Sequence, residues 1–386
     1  MGEPLAIEGG RPVRSRLLPY GRQTIDDADV AAVVATLRSD WLTTGPAVAE
    51  LERRFADLVS ARYAVAVSSG TAALHAAAFA AGVGPGDEAI TTPLTFVATS
   101  NAVLYQGGRP VFADIDPKRL TIATASIEPL LTSRTKAIMP VHYAGQPCDL
   151  DPIHAIARAR GLRVIEDAAH AMGAAYRGRR IGAQGDLVAF SFHPNKNMTT
   201  IEGGALSFRD AGELERAERL RFHGIRKLPG GTVDVIEHAG KSNLSDVSAA
   251  IGLAQLARLE GFNARRGALA RRYLEKLGGV RGLRLPAAGH AGHAWHLFAP
   301  LLDFDALGTT RERFIQEMHA RGIGVGVHYQ ALHLFEAFRR LGYRAGDFPN
   351  AETIGARTVT LPLHTQMQDE DVDRVGAAVE DLTRKR

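Results

Sequence analysis

The residue with the most distinctive chemical surroundings in this sequence is a lysine in a loop of small residues. Lys196 lies between two stretches predicted to be buried strands, and residues 191–204 read Ser-Phe-His-Pro-Asn-Lys-Asn-Met-Thr-Thr-Ile-Glu-Gly-Gly. An amine that is neutral for part of the time can attack a carbonyl carbon and form a Schiff base. A solvated surface lysine is the alternative, so the neighbouring motifs must decide between the two.

One neighbouring motif has the features of a phosphate site. Residues 68–74, Ser-Ser-Gly-Thr-Ala-Ala-Leu, follow a predicted strand directly and begin a predicted helix. The small side chains around Gly70 and Thr71 leave backbone N–H groups accessible, and a helix N-terminus carries positive potential. The turn is therefore a candidate phosphate cradle, with a plain helix cap as the alternative interpretation.

Two further strand ends carry an aromatic ring and a pair of acids. Residues 92–96 end in Phe96, whose ring could cover a flat ligand or belong to the core. Residues 164–171 place Glu166 and Asp167 at the end of an apolar strand. Because side chains alternate along a strand, only one of these acids should face a shared ligand; the alternative is that both cap the following helix. Pyridoxal phosphate (PLP) needs these parts: an amine, an acid, a stacking ring and a phosphate cradle.

Two glycine-rich segments do not match the common nucleotide-binding loops. Gly240-Lys241-Ser242 resembles the end of a P-loop, but Val235 stands where the first glycine is required. The glycines of residues 322–326 are followed by Val327 and Tyr329 where a dinucleotide fingerprint needs its last glycine. The local signatures of NTP hydrolysis and NAD chemistry are therefore missing.

The elements that must position these motifs alternate between short apolar runs and alanine-rich helical stretches. This pattern predicts a doubly wound, mostly parallel sheet with helices on both faces. The predicted strands are 63–67, 88–92, 110–114, 136–142, 162–166, 187–192 and 205–208, and the predicted helices are 71–81, 97–106, 151–160 and 211–221.

The rest of the chain predicts a second, smaller unit. Residues 24–60 indicate two helices around a turn at 43–46, and a glycine-rich charged loop covers 227–240. One long helix is predicted over 246–277, followed by helices at 310–321, 350–356 and 369–384. We therefore expect a large α/β domain with N-terminal helices over 1–245, and the long helix with a small α+β domain over 246–386.

Composition excludes several other classes of protein. The 386 residues include 46 Lys and Arg against 42 Asp and Glu, and this net charge of +4 is too small for a nucleic-acid or membrane binder. No apolar run approaches the length of a membrane span. Cys148 is the single cysteine, which excludes an intramolecular disulfide and a cysteine-based zinc site. The expected location is the cytoplasm.

These motifs, in this order, resemble the sugar aminotransferase family of fold-type-I PLP enzymes. The resemblance runs from about Leu18 to Val375, and its strongest signals are the Ser-Phe-His-Pro-x-Lys and Glu-Asp-Ala-Ala-His-Ala motifs. It implies that Lys196 forms the Schiff base and moves the proton, and that Asp167 pairs with the pyridinium nitrogen. It further implies that Phe96 stacks on the ring and that His170 lies beside the ring and its 3-oxygen. The implied phosphate ligands are Gly70, Thr71 and Ser191.

The same resemblance implies a homodimer with shared active sites. In the family a segment before the long helix reaches the cofactor of the neighbouring subunit, most often as Asn-x-Arg-Met/Leu-x-Asp. Here residues 241–246 read Lys-Ser-Asn-Leu-Ser-Asp, so Lys241 stands at the usual asparagine and Asn243 at the usual arginine. A Lys-x-Asn version occurs in a subset of 4-aminotransferases, and both residues are candidate cofactor contacts.

The tail segments 293–298 and 321–329 resemble those of enzymes that aminate C4 of UDP-linked keto sugars. We therefore expect a nucleotide-linked keto sugar as acceptor, L-glutamate as donor, and His328 and Tyr329 as candidate sugar contacts. A keto-cyclitol aminotransferase and a non-catalytic PLP-binding regulatory protein are the alternatives. No metal is expected: His290, His293 and His296 are spaced by three, which would not put all of them on one face of a strand.

Overall fold

The large part of the molecule is built on one seven-stranded sheet. The computed structural model describes residues 13, 16–287 and 292–384, and the structural statements below concern these residues. The strands of the sheet are β1 (Tyr63–Val67), β2 (Glu88–Thr91), β3 (Arg109–Phe112), β4 (Thr135–Ile138), β5 (Arg163–Asp167), β8 (Leu187–Ser191) and β9 (Gly204–Phe208). Their spatial order is β1-β9-β8-β5-β4-β2-β3, and only β9 runs antiparallel to its neighbours. Two short strands, β6 (Ala175–Tyr176) and β7 (Arg179–Arg180), form a separate hairpin between β5 and β8.

Helices cover both faces of this sheet, each with its own apolar core. One face packs against α2 (Pro46–Val59), α5 (Leu150–Arg160) and the first half of α7 (Asp246–Leu277). The other face packs against α3 (Gly70–Ala80), α4 (Ala98–Tyr105) and α6 (Ala211–Arg221). The strands are buried on both sides, which explains why their sequences are continuously apolar rather than alternating. The predicted doubly wound sheet is confirmed.

The boundaries of two predicted elements differ from the structure. The strand predicted over 136–142 ends at Ile138, because Pro140 has no N–H to donate to a neighbouring strand. The region predicted as a loop over 227–240 contains part of a hairpin, formed by β10 (Ile225–Lys227) and β11 (Val233–Val235). Its strands have three residues each and are mostly exposed, so they lack the continuous apolar run that marks the central strands.

The C-terminal part has a separate core centred on the second half of α7. Leu269, Tyr273 and Leu277 pack against α9 (Arg311–Ala320) and α12 (Asp369–Thr383). The other elements of this part are β12 (Leu283–Arg284), β13 (Leu301–Leu302), α8 (Phe304–Leu307), α10 (Glu336–Arg339) and α11 (Pro349–Arg357). Because α7 contributes to this core and to the sheet core, it joins the two parts; the domain division at residue 245 stays a prediction.

The N-terminal segment packs across both parts of the molecule. Leu18 forms a bridge with Ile323, and helix α1 (Asp27–Leu37) packs on α7. The turn predicted at 43–46 separates α1 from α2, as expected. In the part of the chain that the structure describes, no helix combines the length and the apolar character needed to cross a membrane.

Candidate active site

The predicted site residues gather around one cavity of about 330 Å³, at the carboxyl ends of β1, β5 and β8. Open parallel sheets bind their ligands at this edge. Of the predicted site residues, all but Lys241 and Asn243 line the cavity: Gly70, Thr71, Phe96, Asp167, His170, Ser191, Lys196, His328 and Tyr329.

The start of α3 forms a cradle of backbone N–H groups. Ser69 caps this helix, and its hydroxyl accepts a hydrogen bond from the N–H of Ala72. The amides of Gly70 and Thr71 lie in the first turn, where a helix offers them no carbonyl partner of its own. A Cβ atom at Gly70 would lie 2.6 Å from Cβ of Ser191, so only glycine brings the helix so close to the end of β8. The cradle places a hydroxyl beside free amides, a combination that suits an anionic phosphate.

Asp167 is held in a fixed orientation at the end of β5. The carboxylate is 5% exposed, and its Oδ2 accepts a 2.7 Å hydrogen bond from the hydroxyl of Thr99. Its Oδ1 accepts a 3.0 Å hydrogen bond from the N–H of Ala169. Glu166 points away from the cavity and contacts Nε2 of His142 at 3.0 Å. The prediction that only one of the two acids faces the cavity is confirmed.

Lys196 lies in the cavity wall and is only partly exposed to solvent, and this enclosure changes its chemistry. Burial lowers the pKa of Lys196 to about 8, while the carboxylate of Asp167 acts in the opposite direction. An ordinary lysine has a pKa of about 10.4, so far more of this amine is neutral near pH 7 to 8. Lys196 is therefore not a solvated surface lysine.

His170 is a neutral ring hydrogen-bonded to Tyr329. Its Nδ1 accepts a hydrogen bond from the N–H of Ala144 at 3.3 Å, so the proton of the neutral ring is on Nε2. Nε2 lies 3.1 Å from the hydroxyl oxygen of Tyr329. Burial, together with the nearby Lys196 and His328, holds the pKa of His170 well below its ordinary value. Because the Tyr329 oxygen accepts from His170, its own proton remains available to a ligand.

His328 and Phe96 complete two sides of the cavity. Nδ1 of His328 lies 2.7 Å from the hydroxyl of Thr360, and burial with the nearby charge of Lys196 lowers the pKa of His328 to about 4. Phe96 is 56% exposed and its ring centre lies 6.1 Å from that of Tyr329. The alternative that Phe96 is a core residue is therefore wrong.

Lys241 and Asn243 lie outside the cavity of their own chain. Nζ of Lys241 donates a 2.8 Å hydrogen bond to Oδ1 of Asn243. The amide of Asn243 donates to the hydroxyls of Thr43 and Thr44, at the turn between α1 and α2. A single chain thus does not bring these two residues to the site, and their contact with a neighbouring subunit's cofactor stays a prediction.

Of the histidines spaced by three, the two that the structure describes, His293 and His296, have separate hydrogen-bond partners. His290 lies outside the described residues. Nδ1 of His293 accepts a hydrogen bond from the N–H of Trp295, whereas Nδ1 of His296 lies 3.1 Å from Oδ1 of Asn197. Within the described ranges, no group of three His, Cys, Asp or Glu residues could hold a metal ion.

Two contributors to the site were missed by the sequence analysis. Thr99 lies on α4 and orients Asp167, and Tyr20 comes from the N-terminal segment and lines the cavity beside His328, with ring centres 5.2 Å apart. Thr99 lies three residues after Phe96, on the helix that follows the predicted ring-binding loop, and this spacing could have identified it. No local pattern marks Tyr20.

The fold and the cavity together define a PLP-dependent enzyme of fold type I. A sequence model of the DegT/DnrJ/EryC1/StrS aminotransferase family matches residues 23–380. The chain therefore belongs to this family of PLP-dependent sugar aminotransferases.

Individual relatives match over almost their full length. The spore coat polysaccharide biosynthesis protein SpsC of Bacillus subtilis is 42% identical over 382 residues, covering 96% of this chain and 98% of SpsC. Among solved structures, the putative sugar aminotransferase Spr1654 from Streptococcus pneumoniae in its PMP form superposes with a TM-score of 0.90 at 31% identity, covering 95% of this chain and 98% of that one. DesI in the presence of its TDP-sugar product has a TM-score of 0.91 at 32% identity, covering 98% and 96%.

The residues present fit PLP. The amides of Gly70 and Thr71 in the first turn of α3 can hold a phosphate, and Asp167 and Lys196 line the same cavity. When bound, PLP supplies an aldehyde that condenses with amines and a ring that takes up negative charge from the substrate carbon.

Proposed function

We propose that this protein transfers the amino group of L-glutamate to a keto sugar carried on a nucleotide, in the cytoplasm. The observation that carries the proposal is the partly buried Lys196, with its pKa lowered to about 8, in one cavity with Asp167 and the phosphate cradle. Transamination needs a lysine that can both bond to a carbonyl and act as a base. The relatives add support, since one is named for polysaccharide biosynthesis and another was solved with a TDP-sugar product.

The cofactor-binding residues have distinct proposed roles. The amides of Gly70 and Thr71, with the Ser191 hydroxyl, bind the phosphate through hydrogen bonds. Asp167, fixed by Thr99, places an anionic oxygen at the ring nitrogen and keeps that nitrogen protonated. Phe96, whose side chain is exposed in the cavity wall, would stack on one face of the ring and shield that face from water.

Lys196 and His170 act on protons near the reacting carbon. Once its amine is free, Lys196 removes a proton from the substrate carbon and delivers it to C4′ of the cofactor, which requires the neutral form that burial favours. His170 would lie beside the ring's 3-oxygen. Because its Nδ1 accepts from the N–H of Ala144 and its Nε2 proton is directed to Tyr329, the imidazole is neutral and adds no positive charge near Lys196.

For the acceptor we propose C4 of a UDP-linked keto sugar, contacted by His328 and Tyr329. The Tyr329 hydroxyl can donate to a sugar oxygen because its own oxygen already accepts from His170. Because its pKa is lowered to about 4, His328 is uncharged near neutral pH. Its imidazole can therefore form hydrogen bonds with sugar hydroxyls and does not attract an anionic group.

We further propose that the working form is a homodimer with shared sites. Lys241 and Asn243 lie on the surface of the single chain, outside its own cavity. Trp41 and Leu42, next to the turn that Asn243 contacts, are 55% and 50% exposed. A second copy would cover this apolar surface and bring Lys241 or Asn243 to its neighbour's phosphate.

The decisive experiment follows the two half-reactions through the absorbance of the bound cofactor. L-Glutamate should bleach the visible band of lysine-bound PLP, and a UDP-4-keto sugar should restore it. In the reverse direction, a panel of UDP- and TDP-linked amino sugars aminated at C3 or C4 is compared with an amino-cyclitol. Reaction with the amino-cyclitol alone would move the assignment to a keto-cyclitol aminotransferase, and no reaction with any member would contradict the proposal.

A further inference from the structure

His296 lies behind the active site in a chain of hydrogen bonds that fixes its protonation. It is 3% exposed, and its Nδ1 lies 3.1 Å from Oδ1 of Asn197. The orientation of the Asn197 amide is determined by its other end, because Nδ2 donates to the backbone carbonyl of Ala294 at 2.8 Å and to Oδ1 of Asn263 at 2.6 Å. Asn263 is itself oriented by a 3.0 Å hydrogen bond to the carbonyl of Met172.

This chain of contacts assigns the tautomer of His296. Backbone carbonyls can only accept, so Oδ1 of Asn197 must be the end that faces the imidazole. A carbonyl oxygen cannot donate, and Nδ1 of His296 therefore carries the proton. In the neutral ring, Nε2 is then left with a lone pair.

The groups that face His296 disfavour a second proton on its ring. His170 is the nearest ring, with centroids 4.4 Å apart, and it is neutral. The remaining charged and titratable neighbours are Lys196, Arg266 and His328. Nη1 of Arg266 donates to the backbone carbonyl of His296 at 3.2 Å, and among the described residues no carboxylate pairs with this buried guanidinium. Burial, followed by these neighbours, holds the pKa of His296 well below its ordinary value.

We propose that His296 is a positioning residue for the transamination. Its uncharged ring, held by the hydrogen bond to Asn197, packs against His170 and orients the loop that carries Lys196. Asn197 follows Lys196 directly in the chain, so the hydrogen bond to His296 also restrains the lysine. A proton on His296 would place another positive charge near Lys196, in a region where Arg266 is already an unpaired cation. The inference rests on the proposed role of Lys196.

Two substitutions distinguish the effect of losing the hydrogen bond to Asn197 from the effect of losing the imidazole ring. In His296→Asn, a neutral N–H remains near the position of Nδ1; in His296→Gln, the donor moves to the position of Nε2 and the bond to Asn197 is lost. We expect His296→Asn to react with L-glutamate at nearly the wild-type rate. For His296→Gln we expect a loss on the order of 10-fold in the rate constant with little change in the concentration of half-saturation. Equal rates for the two variants would overturn the proposal.

A measurement without turnover tests the tautomer itself. In protein labelled with ¹⁵N-histidine, we expect His296 to show a protonated Nδ1 and an unprotonated Nε2 from about pH 6 to about pH 9. The signal is assigned by its absence in His296→Asn. A proton on Nε2, or a titration within that range, would overturn the proposal. Because this measurement needs no substrate, a wrong substrate assignment would leave its result unchanged.

Discussion

The hydroxyl of Thr99 donates a 2.7 Å hydrogen bond to Oδ2 of Asp167, whose carboxylate lines the same cavity as Lys196. The N–H of Ala169 donates to the other oxygen, so both oxygens have a fixed donor. A buried carboxylate held in this way cannot rotate freely, and it presents the same lone pairs to each ligand that enters. The hydrogen bond between Thr99 and Asp167 joins helix α4 to the end of β5, and these two elements are distant in sequence.

Replacing Thr99 by valine should slow the chemistry without unfolding the protein. Thr99→Val keeps the side-chain shape but removes one hydrogen bond to the buried Asp167 carboxylate, which we expect to reduce the rate of the glutamate half-reaction by about 10-fold. Thr91→Val is the matched control, since Thr91 is equally buried and donates to the carbonyl of Met139, away from Asp167. Similar losses of rate in both variants would argue against a specific role for Thr99.

The rate at which the apoprotein captures PLP should depend on pH through Lys196. Schiff-base formation needs the free amine, so below the pKa of about 8 the rate should fall roughly 10-fold per pH unit, and above it the rate should level off. Because Asp167 raises the pKa of Lys196, Asp167→Asn should move the midpoint to lower pH. Stopped-flow absorbance measures the profile. A midpoint near that of free lysine would show that burial does not act as described.

A methyl group at the phosphate cradle should weaken cofactor binding. The Cβ of Gly70→Ala would lie 2.6 Å from Cβ of Ser191, and such overpacking costs about 1–3 kcal/mol, so the Kd for PLP should rise by roughly 10-fold to 100-fold. Gly261→Ala is the control, because this exposed position in α7 has open space around it. The control should bind PLP normally and gain about 0.5–1 kcal/mol of stability. An unchanged Kd for Gly70→Ala would mean that the cradle does not hold the phosphate.

Mixing two inactive variants should restore activity if the sites are shared. Lys196→Ala lacks the amine, and the double variant Lys241→Ala/Asn243→Ala lacks the proposed contacts to the neighbouring cofactor. A heterodimer of the two contains one site with all these residues, so mixed samples should regain part of the wild-type rate. Mass spectrometry verifies that subunits have exchanged. Exchange without any regained activity would contradict the cross-subunit role.

The sequence predicted the parts of the site that follow from strand and helix periodicity. The alternation along β5 separated Glu166 from Asp167, and the strand-to-helix junction at Gly70 identified the cradle. These features depend on residues that are close in the chain. Because parallel sheets bind ligands at the carboxyl ends of their strands, the sequence also predicted that the separate motifs lie at one edge of the sheet.

The features that could not be predicted depend on contacts between distant segments. Tyr20 reaches the cavity because the N-terminal segment pairs with residues near Ile323, and nothing in its local sequence indicates that pairing. The contact of His296 with Asn197 joins residues 99 positions apart. The sequence alone does not predict the exposure of Phe96, because a phenylalanine after a buried strand is usually part of the core.

The reversed strand β9 has a consequence for how the molecule can move. Gly204 pairs with Ser191 on one side and with Val67 on the other, so three strand ends form one hydrogen-bonded row at the cavity edge. The lysine loop enters and leaves through this row, and the phosphate cradle begins three residues after Val67. A displacement of the C-terminal part would move Tyr329 but would leave the spacing between Ser191 and Gly204 at the two ends of the lysine loop unchanged. One hydrogen-bonded sheet therefore holds the lysine loop and the phosphate cradle to each other, whereas Tyr329 reaches the cavity from the C-terminal part.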